Sequence, residues 1–136
     1  MIRYAALAAS ALVALGAVVA PAVAQDHGRT ERVQFARGAS SATLQGNVHG
    51  YDSVDYVVGA RRGQTLTVNM RTTNASAYFN VLPPGGGDAA LDGAANVVNW
   101  RGALPASGDY VVRVYLMRNA ARRDEHANYT LTIGVR

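Results

Sequence analysis

The chain of 136 residues contains no cysteine. Zinc–thiolate centres, cysteine nucleophiles and disulfide frameworks are excluded at once, and an exported domain of this kind must be held by packing alone. An N-terminal lipid on cysteine is excluded as well. Lysine is equally absent, because all 13 basic side chains are Arg. That removes Schiff-base, P-loop and Ser-x-x-Lys chemistry. Histidine is scarce: His27, His49 and His126 are the only three, and none has a ligand or triad partner at a suggestive spacing. Gly38-Ala39-Ser40-Ser41-Ala42 is half of a nucleophile elbow, without the strand-to-helix context that a working one needs. Asp88 and Asp92 lie in a glycine-rich stretch without EF-hand spacing. The reading is therefore a non-enzymatic protein with no metal and no cofactor.

What is present begins with a targeting segment. Met1–Tyr4 is a short basic start, Ala5–Ala20 is a small and apolar run, and Pro21-Ala22-Val23-Ala24 supplies a small-x-small cleavage site. The run is short and Ala-rich for a transmembrane span. Residues 1–24 are expected to be a signal peptide and residues 25–136 a single exported domain, with no membrane partner after cleavage. Without Arg3 the basic side chains fall to 12, against nine acidic ones. An excess near +3 is below that of a dedicated nucleic-acid binder and suits a partner with an acidic cleft.

The rest of the chain reads as strands with a period of two. Alternating runs occur at Glu31–Phe35, Ala42–Val48, Ser53–Val58, Thr65–Met70, Ala77–Leu82, Val97–Trp100, Tyr110–Leu116 and Asn128–Val135. Gly46 inside the second run marks a bulge or a close backbone approach. Pro83-Pro84-Gly85-Gly86-Gly87 stops any helix or central strand. About eight short strands and no long helix predict an all-β fold, an antiparallel β-sandwich or jelly-roll-like packing. The last two strands are expected to pair, joined by Arg118–Ala127; Arg118–Glu125 within that connection admits one short helical turn.

That connection is the most informative stretch. Arg118 and Arg122 are four apart, so in a helical turn both project from one side and repel by roughly 0.2–0.5 kcal/mol. Such a segment gains nothing locally from its charges. It is either a solvated end, with Asp124 and Glu125 neutralising Arg122 and Arg123, or a surface aimed at a partner. Tyr51, in a Gly50-Tyr51-Asp52 turn, is open in the same way: it packs down on the sandwich or stands out as an anchor. Tyr and Arg are the residue types that dominate interface hot spots.

At these residues the sequence resembles a known family, the periplasmic inhibitors of goose-type (g-type) lysozyme. The resemblance is carried by Val33–Gly38 with Ser40-Ser41-Ala42, by Gly50-Tyr51-Asp52 with Asp55-Tyr56 and Arg62-Gly63-Gln64, by Leu104–Tyr110 with Arg113-Val114, and by Arg118-Asn119-Ala120-Ala121-Arg122. Some of these pieces are shared with secreted β-sandwich modules of the pre-peptidase C-terminal type, and Arg71–Gly102 departs from the family pattern. The resemblance implies a periplasmic β-sandwich whose loops plug the active-site cleft of a g-type lysozyme. Carried over by position, Tyr51, Arg118 and Arg122 would be the inhibitory residues, with Asn119, Asp52 and Arg123 as second-rank contacts. Two other readings stand beside it. One is an envelope carbohydrate- or protein-binding module with Tyr51 and Trp100 as stacking platforms. The other is a nucleic-acid binder using Arg61, Arg62, Arg122 and Arg123, against which export and small net charge argue. The sequence leaves the oligomeric state open.

Overall fold

The computed structural model describes residues 28–136; the expected signal peptide, residues 1–24, lies outside the described residues. Six of the eight alternating runs close into strands, because a period of two gives one face to the core and one to water. In chain order the elements are β1 Gly28–Arg32, β2 Ser41–His49, β3 Ser53–Ala60, β4 Thr65–Thr72, β5 Ala77–Leu82, β6 Asn99–Ala103, β7 Gly108–Leu116, α1 Arg118–Arg122 and β8 His126–Val135. They build two four-stranded sheets, the first ordered β1-β3-β7-β5 and the second β2-β8-β4-β6. This is the expected all-β sandwich, and the short helix lies within the segment expected to hold it. One pair departs from antiparallel: β1 runs parallel to β3, from Gly28 opposite Ser53 to Arg32 opposite Val57.

The core lies between the sheets. Tyr56 and Val58 of β3, Leu66 and Val68 of β4, Phe79 and Val81 of β5, Val112 and Val114 of β7 and Leu131 and Ile133 of β8 are fully buried. Each buried Val, Leu, Ile or Phe side chain contributes about 1.5–3 kcal/mol, and this burial replaces the absent disulfides. In the middle, the Tyr56 and Tyr129 hydroxyls share a hydrogen bond of 2.6 Å with the rings edge to face. Gly46 stands opposite Tyr129 in an unbroken β2–β8 ladder. A Cβ at Gly46 would lie 2.5 Å from the Tyr129 Oη and 2.9 Å from the Tyr56 Oη. The glycine therefore marks a close approach and not a bulge.

Three sequence expectations need correction. The first strand occupies Gly28–Arg32 and not Glu31–Phe35. Val33 and Phe35 pack on the core from outside the strand, so their alternation reported burial while pairing was set by the preceding, exposed residues. The run Val97–Trp100 is split. Val97 bridges Phe79 of the first sheet, whereas Asn99 onward pairs with β4 of the second. Finally, the last two strands do not pair. β7 lies between β3 and β5, and β8 between β2 and β4. After Leu116 the chain buries Ala120 and Ala121 over the end of the core, which carries it across to the other layer. A long polar connection looks the same in sequence whether it closes a hairpin or crosses a sandwich.

Candidate functional site

Two such crossings lie side by side at one end of the sandwich. Residues 50–52 lead from β2 in the second sheet to β3 in the first, and residues 117–125 lead from β7 in the first back to β8 in the second. Their flanks are paired in both layers, His49 opposite His126 and Ser53 opposite Tyr115. Register alone thus sets the Gly50-Tyr51-Asp52 turn against the helical crossing.

Specific bonds fix the contact. The Gly50 N–H donates to the Glu125 carbonyl at 2.8 Å. His49 Nε2 lies 3.0 Å from Asp124 Oδ1. Gly50 and Asp124 both take the left-handed backbone region, at φ 58° and 59°, and a Cβ on Gly50 would come to 3.2 Å from Asp124 Oδ1. The turn after β4 joins in. Asn74 Nδ2 donates to Glu125 Oε1 at 3.0 Å and to the His126 carbonyl at 3.2 Å. The Met117 N–H donates to the Ser76 carbonyl at 2.9 Å. The Asn74 amide, and after it the Arg123 guanidinium, hold the Glu125 carboxyl below its ordinary range.

The helix between these ties is held by packing and not by its own propensity. It has five residues, no side-chain N-cap and no acidic residue in its first turn, and a helix this short is marginal alone. Ala120 and Ala121 form its buried side, leaving Arg118, Asn119, Arg122 and Arg123 exposed. Arg118 and Arg122 enter no ion pair or side-chain hydrogen bond among the described residues, and they sit one turn apart on one side. The neutralised-end reading holds for their neighbour only: Arg123 Nε donates to Glu125 Oε2 at 2.7 Å, and Asp124 faces His49 instead of Arg122.

The sequence-derived candidates therefore separate into two groups. Tyr51, at 62% exposure, stands with Arg118 and Arg122 at the crossing end, its side chain projecting outward and not packed down. Asn119 turns its Oδ1 to the Ala120 N–H at 2.8 Å. Arg123 is engaged by Glu125, and Asp52 is half-buried with its N–H on the His49 carbonyl at 3.0 Å. Met117, 41% exposed, escapes the sequence reading. It follows the last inward residue of β7, and the strand's own parity, which sends every second side chain outward, is the signal that finds it. Asn74 escapes too, since no spacing in sequence links it to Glu125.

The residues of the competing readings do not converge. Trp100 is half-buried against the core, and its indole N–H donates to the Asp92 carbonyl at 3.3 Å. Arg61 and Arg62 follow the end of β3 that is paired with the start of β7, whereas Arg122 and Arg123 follow the end of β7. The four arginines thus lie at opposite ends of the sandwich. Among the described residues no three His, Asp or Glu side chains come together as a metal site would require, and Asp88 lies 3.5 Å from Arg113.

No protein-family model matches the chain. It is 33% identical over 112 residues to the "Inhibitor of g-type lysozyme" of Escherichia coli K12, a match covering 80% of this chain and 83% of that protein. Among solved structures it is similar to an Aeromonas hydrophila protein described as a periplasmic lysozyme inhibitor of g-type lysozyme. There the TM-score is 0.74 and the identity 42%, over 82% of this chain and 99% of that one. A Salmonella Typhimurium protein of the same description gives a TM-score of 0.62 and 30% identity, over 80% and 99% of the two chains.

Proposed function

The chain belongs to the family of periplasmic inhibitors of g-type lysozyme, and we propose that it inhibits such an enzyme by docking the crossing end, with Tyr51, Arg118 and Arg122, into the acidic active-site cleft. The observation that carries this reading is the pair of guanidinium groups, unpartnered among the described residues, on a helix held over the core by Ala120 and Ala121, beside an outstanding tyrosine. Glycan cleavage by lysozymes relies on carboxyl groups. Guanidinium groups stay charged when desolvated and meet carboxylates bidentately. Tyr51 and Met117, the two exposed large apolar side chains among the described residues, supply the apolar contact area that a charge pair alone lacks. Binding of this kind requires no catalysis by the inhibitor itself, which acts in the periplasm as a non-enzymatic binding protein.

The envelope-module alternative has less behind it. Its stacking platform Trp100 is turned to the core and hydrogen-bonded, and the family is that of the inhibitors. Complex formation tests the reading directly. The purified chain should co-elute with a g-type lysozyme on gel filtration, and substrate fragments that fill the cleft should displace it. Binding that is indifferent to cleft occupancy would sink the proposal of a plugged active site.

A further inference from the structure

The outer face of the second sheet takes no part in the docking just described, and its charges are arranged unlike those of the first sheet. On the outer face of the first sheet the arginines are paired: Arg32 with Asp109 at 2.8 Å, and Arg113 with Asp55 at 2.8 Å and Asp88 at 3.5 Å; Arg29 of β1 stands opposite the inward Val54, beside the Tyr56 hydroxyl. In the second sheet Arg71 of β4 stands opposite Thr130 and Arg101 of β6 opposite Thr67. Neither has an ion pair or side-chain hydrogen bond among the described residues. A cross-strand carboxylate would contribute about 0.2–1 kcal/mol at either position, yet no strand of this sheet carries Asp or Glu. Between the two arginines a row of hydroxyls and amides crosses all four strands, Thr43 beside Thr132, then Asn69, then Asn99. The row repeats at the strand spacing of about 4.8 Å, and Arg71 and Arg101 flank it with about 13 Å between their levels along β4. Three depressions of about 630, 520 and 310 Å³ lie on this face. Neighbouring ones share Arg71 and Thr130, or Asn69 and Thr132, so they form one trough.

We propose that this trough binds an anionic polysaccharide, a chain of sugar rings bearing carboxylates, with Arg71 and Arg101 as anion contacts and Arg136 lining the same depression as Arg101. Charge complementarity sets the sign of the ligand, and the polar row sets its class. The outward positions of the four strands carry no aromatic or large apolar side chain; Trp100 and Tyr129 stand opposite inward residues, and the exposed large apolar groups of the described residues are Tyr51 and Met117 at the crossing end. Protein partners want such anchors, single-stranded nucleic acids want stacking platforms, and membrane surfaces want an apolar wedge. A glycan wants closely spaced hydroxyl and amide partners plus guanidinium groups for its acids.

Affinity electrophoresis of the full chain in gels containing polygalacturonate tests this, with neutral dextran gels as reference. The expected result is retardation by polygalacturonate and none by dextran. In an Arg71→Gln/Arg101→Gln variant the apparent affinity should fall about tenfold or more, as the loss of two charged hydrogen-bonding groups implies, while lysozyme inhibition and melting temperature stay unchanged. A charge-matched Arg61→Gln/Arg62→Gln variant should bind like the parent. Absence of retardation, equal loss in the charge-matched variant, or equally tight binding of a single-stranded oligonucleotide would overturn the proposal. So would loss of inhibition together with loss of glycan binding, which would assign the face to the enzyme instead.

Discussion

The Gly50 N–H and the Glu125 carbonyl meet at 2.8 Å, and that bond ties together the two crossings of the sandwich. Gly50 can make it because its backbone sits at φ 58°, a conformation that costs an L-residue roughly 1–2 kcal/mol. Gly50→Ala also sets a methyl group 3.2 Å from Asp124 Oδ1. We expect this variant to lose about 1–2 kcal/mol in urea unfolding, and to inhibit less because Tyr51 no longer stands correctly against the helix. Unchanged stability and inhibition would show that the two crossings are independent.

The arginines of the helix should not be equivalent. Arg122 is unpartnered among the described residues, whereas Arg123 is held by Glu125 at 2.7 Å. Truncating one member of a buried interfacial charge pair costs about 2–5 kcal/mol, so Arg122→Ala should raise the inhibition constant by tenfold or far more. Arg123→Ala should have an effect of about threefold or less, as for a rim charge. Titration of a g-type lysozyme with each variant decides it, and equal losses would mean that the Arg123–Glu125 pair opens in the complex.

Gly46 offers a test of the core that leaves the docking end untouched. A Cβ there would intrude to 2.5 Å on the Tyr129 hydroxyl and 2.9 Å on that of Tyr56, forcing apart a buried hydrogen bond of 2.6 Å. Gly46→Ala should cost about 1–3 kcal/mol, read as a lowered melting temperature. Tyr129→Phe should cost about 0.5–1.5 kcal/mol, because it removes one buried hydrogen bond of the Tyr56 hydroxyl and leaves that group its contact with Arg29.

Acid should loosen the docking end through Glu125. Its carboxyl is held below the ordinary value of 4.5 by Asn74 and then Arg123. A carboxylate depressed in the folded state contributes stability that is present above its unfolded value and is lost as pH falls through the folded one. Part of the stability should therefore disappear below about pH 4.5 in the parent, and this part should be absent in Glu125→Gln. Parallel acid-unfolding curves for the two proteins would contradict the assignment.

The sandwich was legible because alternation in runs such as Leu66–Val68–Met70 and Tyr110–Val112–Val114 reports a buried face directly. Pairing was less legible. Val33 and Phe35 alternate without belonging to the strand that precedes them, and Val97 and Asn99 sit in one run but join different sheets. Backbone partners are a property of the whole fold, which periodicity does not encode. At the docking end, the Arg118–Arg122 spacing and the exposed Gly50-Tyr51-Asp52 turn could be read locally. The bonds of Glu125 to Asn74 and Gly50 could not, since they join segments 51 and 75 residues apart. Nor could Arg71 and Arg101, whose relation exists only once β4 and β6 pair.

The most direct test of the central claim is lysis of cell walls by a g-type lysozyme, with the parent and with an Arg118→Ala/Arg122→Ala variant of unchanged melting temperature. The parent should suppress lysis, and the variant, at the same concentration, should not. Full suppression by the double variant would contradict that claim and move the inhibitory surface away from the helix.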